Sequence, residues 1–229
     1  MRRALRRVLL ALVLLGLAWQ LWLFVHILWW TRHNPQTTAL MRERMDELAA
    51  HHQPVQLQHE WVPWNRIPVS LKRAVVASED SRFIEHHGFD WQGIRLAAQK
   101  DLQHGRIVAG GSTISQQLAK NLLLSDHRTP WRKIEETLVT VMIEQTMSKR
   151  RILEIYLNDI EWGHGIFGAQ AAARHYFHTG AANLLPQQSA RLAAMIPDPR
   201  YFDSHRNSHE LARRTAIIAA RMNQVVIPR

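Results

Sequence analysis

The alternation of hydrophobic and polar positions divides this chain at about residue 30. From Val8 to Trp30 no residue is charged and only Gln20 and His26 interrupt the apolar run. As a helix rising about 1.5 Å per residue, that stretch is roughly 34 Å long and crosses a bilayer. Arg2, Arg3, Arg6 and Arg7 precede it and Trp29-Trp30 close it like an interfacial aromatic belt, which orients the N-terminus to the cytoplasm and the rest outside, although Arg32, Arg42 and Arg44 on the far side make the bias slim. A cleaved signal peptide has a shorter apolar region and a small-residue cleavage site, whereas this run ends in Trp-Trp-Thr-Arg, so an uncleaved anchor is expected. The expected units are a basic tail (1–7), a transmembrane helix (8–30), a connector (31–67) and a domain (68–229).

Beyond the anchor the period is helical. Met41 to Ala50 can form a short helix, after which His51-His52-Gln53-Pro54 and Trp61-Val62-Pro63-Trp64 break regular structure. Pro68-Val69-Ser70 opens a helix to about Glu79 with Ser70 as its N-cap, and residues 90–103 follow with Ile94, Ala97, Ala98 and Leu102 on one face. Residues 104–111 have glycines and a basic residue without periodicity, the mark of a mobile loop. In the next helix Ile114, Leu118 and Leu122 make an apolar stripe opposite Thr113, Gln116, Gln117 and Lys120. Thr129-Pro130 starts another, with Ile134, Leu138, Val141, Met142 and Gln145 on one side and Arg132, Glu136 and Thr140 on the other. Ser148 caps a helix to about Asn158, and further helices are expected over 167–177, 186–196 and 209–222. Strand patterns of period two are nearly absent, so the domain reads as mainly α, one compact unit without internal repeats.

Charge and composition narrow the chemistry. The chain is formally +10, and the portion beyond residue 31 is +6. A basic domain tethered outside a membrane meets lipid head groups and pyrophosphates before nucleic acid, and no nucleic-acid partner is expected. Without a single cysteine there is no disulfide framework and no thiol nucleophile.

The groups able to move protons concentrate in residues 78–90. Glu79 closes the apolar run Ala74-Val75-Val76-Ala77, and a carboxylate where a hydrophobic wall meets a cleft has its pKa raised by desolvation, which suits general acid or base work. The same stretch is equally compatible with a solvated helix end carrying Glu79 and Asp80. Gly110-Gly111-Ser112-Thr113 makes a helix start whose free amides attract an anion such as phosphate. Two amides, a hydroxyl and an ammonium along the following stripe suit sugar or phosphate, though an ordinary amphipathic helix has a polar face too. Arg132 and Glu136 could be a surface pair worth about 0.3–0.5 kcal/mol, or line the cleft of Glu79 as the second carboxylate that glycosyl chemistry commonly uses. His86-His87 lacks a zinc-binding spacing, and hydrogen bonding suits His86 better. No phosphate-binding Gly-x-x-x-x-Gly-Lys loop, Ser-His-Asp set or Gly-x-Ser-x-Gly elbow is present.

Four ordered stretches carry a resemblance: Glu79-Asp80-x-x-Phe83-x-x-His86-x-Gly88, Gly111-Ser112-Thr113-x-x-Gln116-Gln117-x-x-Lys120-Asn121, Arg132-Lys133-x-x-Glu136, and Ser148-Lys149-x-x-Ile152-Leu153-Glu154-x-Tyr156-Leu157-Asn158. Over about residues 68–200 the chain resembles the peptidoglycan glycosyltransferases of the penicillin-binding-protein group, glycosyltransferase family 51. Ending at residue 229, it leaves no room for a transpeptidase domain and is most similar to the monofunctional members. The resemblance implies a lysozyme-like helical domain in the plasma (inner) membrane, its catalytic domain periplasmic or extracellular, that polymerises lipid II and has the growing glycan strand, the bilayer and other cell-wall synthesis proteins as partners. It implies Glu79 as general base and Glu136 at the donor pyrophosphate. It further implies that Asp80, Phe83, His86, Ser112, Thr113, Gln117, Lys120, Asn121 and Arg132 shape the cleft and bind sugar or phosphate. Mg2+ or Mn2+ is implied for some members, and the mobile segment partly in the membrane corresponds to residues 104–111. Gln170 stands where relatives often carry Glu. Two rivals remain: a glycan-cleaving lytic transglycosylase or muramidase, and a basic membrane-anchored adaptor without turnover.

Overall fold

The computed structural model describes residues 1–52, 56–96, 111–124 and 130–229. The apolar run lies within one helix, α1 (Arg2–Trp30), the single helix among the described residues long and apolar enough to cross a membrane. Almost all of it is exposed; only Leu23 and Ile27 are buried, and it packs along a helix of the domain. Where α1 ends, Arg151 fastens the chain to the domain by donating to the carbonyls of Trp30 (3.0 Å) and His33 (2.7 Å) and to Asn34 Oδ1 (2.9 Å).

The helical period is realised in α2 (Ala39–Ala50), α3 (Val69–Glu79), α4 (91–96), α5 (Ile114–Leu123), α6 (Pro130–Thr146), α7 (Lys149–Asp159), α8 (Gly168–Phe177), α9 (Pro186–Met195), α10 (Pro199–Ser204) and α11 (His209–Arg221). The mainly α class is therefore as expected. The rest of the helix expected over 90–103, most of the loop at 104–111, and Thr129 lie outside the described residues. Ser148 caps α7 by accepting from the amide of Arg151. α10 had a signal in Asp198-Pro199, a capping residue followed by a first-turn proline.

One local expectation is corrected. Ser70 does not cap α3: Pro68, extended at φ −66° and ψ 147°, holds the cap position, and the Ser70 hydroxyl pairs with that of Ser189 on α9 at 2.9 Å. On α6, for which the sequence leaves both sides open, the side that carries Glu136 and Thr140 is buried and the apolar stripe is exposed. Glu136, Val139, Thr140, Ile143 and Met147 are buried, while Trp131 (78%), Ile134 (53%), Leu138 (43%) and Val141 (43%) are exposed. Periodicity identifies the two faces of a helix, but which one turns outward depends on whether the outside is water or lipid.

A small sheet also forms from β1 (Gln58–His59), β2 (Glu161–Gly163) and β3 (Ile166–Phe167), with β3 central, parallel to β1 and antiparallel to β2. Strands of two or three residues are too short to show alternation. Asn158 holds the segment after β1, accepting from the amide of Val62 (2.7 Å) and donating to its carbonyl (3.0 Å), while Glu154 accepts from the amide of Trp64 (2.8 Å). Lys72, itself buried, donates to the Trp64 carbonyl and stands 3.8 Å over its ring. These bonds, with Arg44 to Glu161 and Arg200 to Glu47, lay residues 39–67 onto the helices.

At the end of α7 the Asp159 carboxyl is buried with His59 Nε2 3.4 Å away, and desolvation pushes its pKa up to about 6. The folded pKa thus exceeds the ordinary value of 3.8, so the stabilisation is complete below pH 3.8 and is lost as pH rises through about 6. Asp159→Asn is accordingly expected to raise the unfolding free energy at pH 7.5 by up to about 3 kcal/mol, a gain that shrinks toward pH 4. Denaturant titrations at the two pH values check it, and a variant less stable at pH 7.5 would contradict it.

Candidate active site

The candidate site is assembled where α3 stops. Glu79 is the last residue of α3, half-buried at the end of a helix whose Leu71, Ala74, Val75 and Val76 fill the core. The Ser78 hydroxyl donates to Glu79 Oε1 at 3.0 Å or to the Ala193 carbonyl of α9 at 3.3 Å. Gln117 Nε2 of α5 donates to Glu79 Oε2 at 2.8 Å, and the Tyr156 hydroxyl of α7 donates to Gln117 Oε1 at 2.7 Å. Because Tyr156 occupies the carbonyl end of that amide, the amino end is the one turned to the carboxylate. Burial raises the pKa of Glu79; the bonds from Gln117 and Ser78 and the charge of Arg214 on α11 oppose it, and Asp80 adds to it. Removing the tyrosine hydroxyl releases the amide. Tyr156→Phe is therefore expected to lower kcat/KM at neutral pH roughly tenfold, about 1.4 kcal/mol, and to move the acid limb of its pH profile upward. A rate loss without any movement of that limb would point to a packing defect instead.

Asp80 turns the other way. It is the C-cap residue just after α3, its side chain buried, accepting from the Ile114 amide (3.1 Å) through Oδ2 and meeting His86 Nε2 (2.9 Å) through Oδ1. Thr113 and Gln116 close the same helix start reciprocally: Thr113 Oγ1 accepts from the Gln116 amide at 3.2 Å, and Gln116 Oε1 accepts from the Thr113 amide at 3.1 Å. Thr113 also donates to the Gly88 carbonyl at 2.6 Å, so the turn after His86 is pinned to α5. This corrects the expectation of free amides awaiting a phosphate: three donors at this helix start are taken internally, and Asp80 is the anion favoured there. The polar stripe divides accordingly. Thr113 and Gln116 are buried capping groups, whereas Gln117 and Lys120 are half-buried, Ser112 is exposed and Asn121 is buried.

Phe83 is fully buried, edge-on to His86 and 4.5 Å beneath the Lys149 ammonium. Lys149 in turn donates to Glu144 at 2.7 Å, and Glu144 also accepts from Ser115. Phe83, His86 and Thr113 therefore hold the 80–90 turn against α5 and α6, with the polar contacts of His86 and Thr113 directed inward. A second cluster lies on α6, which packs beside α5. Glu136 is buried and ion-paired with Lys133 through Oε1 and with Arg132 (3.4 Å) through Oε2. Among the described residues no hydrogen bond or ion pair links it to Glu79. Sequence reading missed Ser78 and Arg214. The latter reaches Glu79 from 135 positions away in the chain by the packing of α11 on α3, for which no local signal exists. Gln170 accepts from the Ala181 amide at 2.8 Å, so the carboxamide supplies the acceptor there.

A resident divalent ion needs converging oxygen or nitrogen ligands. Among the described residues no group of three or more His, Asp or Glu side chains converges, and both oxygens of Glu136 already face cations. The described residues do not form a protein-ligated Mg2+ or Mn2+ site.

The family described as Transglycosylase matches residues 45–223. The chain is similar to proteins named biosynthetic peptidoglycan transglycosylase from three bacteria. That of Laribacter hongkongensis is 59% identical over 218 residues, covering 95% of this chain and 96% of the relative. That of Methylobacillus flagellatus is 57% identical over 223 residues, 97% of each. That of Chromobacterium violaceum is 55% identical over 228 residues and covers both chains entirely.

Proposed function

We propose that this chain, which belongs to the transglycosylase family, is a peptidoglycan glycosyltransferase that polymerises lipid II into β-1,4-linked glycan strands and releases undecaprenyl pyrophosphate. The observation that carries the reading is Glu79, a half-buried carboxylate of raised pKa held by Ser78 and Gln117 at the end of a hydrophobic wall. In that state it is a stronger base than a solvated carboxylate. It takes the proton from the 4-hydroxyl of the acceptor GlcNAc, and that oxygen attacks the anomeric carbon of the lipid-linked strand. The bond to the pyrophosphate breaks as the new one forms, so a single displacement turns the α-linked donor into a β-1,4 bond.

The Arg132-Lys133-Glu136 cluster suits the donor end, where the leaving pyrophosphate gathers negative charge. Lys133 keeps its side chain 55% exposed and its ammonium within reach of an anion. Glu136 holds the two cations in place. No step is routed through a metal ion.

A lipid-linked substrate stays in the bilayer, so the enzyme has to stay there too. The reading has α1 cross the plasma membrane with its arginine-rich end in the cytoplasm and the domain outside. The exposed apolar stripe of α6, on the helix that packs against α1, rests on lipid. The tether and the cationic cluster favour synthesis over cleavage. Purified protein given labelled lipid II is expected to make long glycan, and isolated cell-wall sacculi are expected to release no soluble fragments. Fragments without polymer would overturn the reading in favour of a glycan-cleaving enzyme.

A further inference from the structure

Away from Glu79, a cavity of about 310 Å3 opens between α2, the turn from β2 to β3, and α10. Its lining includes Arg44, Glu47 and Leu48 of α2, Glu161 of β2, His164 of the turn and Arg200 of α10. Among the described residues no hydrogen bond or ion pair joins any of these side chains to Glu79, which is held by Ser78 and Gln117. The volume lies at the small end of the roughly 300–1,000 Å3 of small-molecule sites, room for one sugar-sized ring.

The charged groups of this cavity balance one another. Arg44 donates to Glu161 Oε2 at 3.0 Å and to Glu47 Oε2 at 3.1 Å, and Arg200 Nη1 donates to both oxygens of Glu47 at 3.0 and 3.1 Å. An incoming ammonium would meet both guanidinium groups and an incoming phosphate both carboxylates, so a neutral ligand suits the cavity better than an ion. What the walls lack is a hydrogen-bond donor. Glu161 is 6% exposed, yet its Oε1 is buried with no hydrogen bond of ordinary geometry among the described residues. Burial raises the pKa of this carboxyl, against the influence of Arg44, Arg200 and the Gly165 amide. A buried acceptor without a partner is costly, and a donor brought by a ligand removes that cost. His164 offers a second acceptor. Its amide and Nδ1 face Asp203 Oδ2 at 3.1 and 3.3 Å, so the tautomer that donates to Asp203 has Nε2 as the accepting nitrogen.

We propose that this cavity is a secondary binding site for an N-acetylated sugar, and that it holds the glycan strand at a point outside the catalytic cleft. One sugar hydroxyl donates to Glu161 Oε1 and another to His164 Nε2. The acetamido carbonyl accepts from Arg200, which bonds Glu47 through Nη1 and has further N–H groups in the same plane. The acetyl methyl lies on Leu48. A neutral ring that carries donors and acceptors together meets all of these groups at once. The choice of an N-acetylated sugar rests on the proposed function, whose product is a chain of such sugars. A strand held at a second point leaves the enzyme less often between additions, because rebinding at the first point becomes intramolecular.

Titration of the full chain in neutral detergent with triacetylchitotriose, followed by NMR of the sugar and without lipid II, tests the site. Leu48, half-buried on α2, is replaced in Leu48→Trp by a side chain that fills the cavity. Glu161→Gln keeps an acceptor for Arg44 and puts an amide donor where Oε1 accepts. Each variant is expected to bind the trisaccharide at least about tenfold more weakly than the parent while keeping the parental circular dichroism. Maltotriose, which has hydroxyls but no acetamido group, is expected to bind the parent at least about tenfold more weakly too. No saturable binding by the parent, or equal binding by the parent and a folded Leu48→Trp, would overturn the site. Equal affinity for maltotriose would overturn an N-acetylated sugar as its ligand, and displacement by inorganic phosphate would overturn a sugar site in favour of an anion site. With lipid II, Leu48→Trp is expected to begin polymerisation at the parental rate and to make strands roughly half as long or shorter. Strands of parental length would overturn the role in holding the glycan. A parent chain that made no polymer at all would remove the proposed function instead, while the trisaccharide titration would still report on the cavity.

Discussion

Glu79→Gln is expected to slow glycan polymerisation by about a thousandfold, within the range that general base catalysis contributes, while leaving the helical circular dichroism and the unfolding midpoint at or above those of the parent. The substitution keeps the shape of the side chain and its capacity to accept from Gln117 or Ser78, which donate to the present carboxylate at 2.8 and 3.0 Å. It removes the basicity. Because burial is the largest influence on this carboxyl and raises its pKa, its ionised form is a cost to the folded state, and a neutral isostere has none of that cost. The sign of the pH effect follows. Glu79 must be ionised to accept a proton, so kcat/KM is expected to rise with pH along an acid limb that lies above the ordinary carboxylate range. Residual activity of the Gln variant should lack that limb. Parental rates from a folded Gln variant would sink the mechanism, and a variant that lost its fold would show that Glu79 is needed structurally.

Most helices of the domain were legible because each buries an apolar stripe, the short α10 excepted, and caps such as Ser148 were legible because the side chain that starts the helix is adjacent to it in sequence. What escaped depends on partners that are remote or are not water. The sequence left open which face of α6 turns inward: Ile134 and Leu138 are apolar and exposed, Glu136 and Thr140 polar and buried, on a helix that packs beside the long apolar α1. The start of α5 was read as an open anion site, yet its anion comes from Asp80, 34 positions away. Gln117 was legible as a polar group on the cleft side of α5, but its task of turning an amide donor toward Glu79 depends on Tyr156, 39 residues later. Residue types that carry chemistry were visible in the sequence; which of them act directly and which position others was decided by tertiary contacts.

Gly168→Ala is expected to cost roughly 3–5 kcal/mol, much of the 5–15 kcal/mol that stabilises a typical domain. Gly168 begins α8 at φ +79°, a backbone conformation that side chains disfavour, and a Cβ there would meet the Asn158 carbonyl oxygen at 2.3 Å and its carbon at 3.0 Å. Backbone cannot yield as a flexible side chain does. Asn158 is also fixed on its other side, its carboxamide bonded both ways to Val62, and the Gly168 amide is bound to the Ile160 carbonyl at 3.0 Å. Relieving the overlap therefore means moving the end of α7, the segment around Val62 or the start of α8, and α7 carries the Tyr156 hydroxyl that orients Gln117. The loss should appear in denaturant titrations as a lower midpoint, with activity falling alongside it. Gly180→Ala is the control: its φ is ordinary and its Cβ would meet only Gln170 at 3.8 Å, so a change within about 0.5 kcal/mol is expected. Equal effects at the two glycines would show that the close approach of α8 to α7 is not what requires glycine at 168.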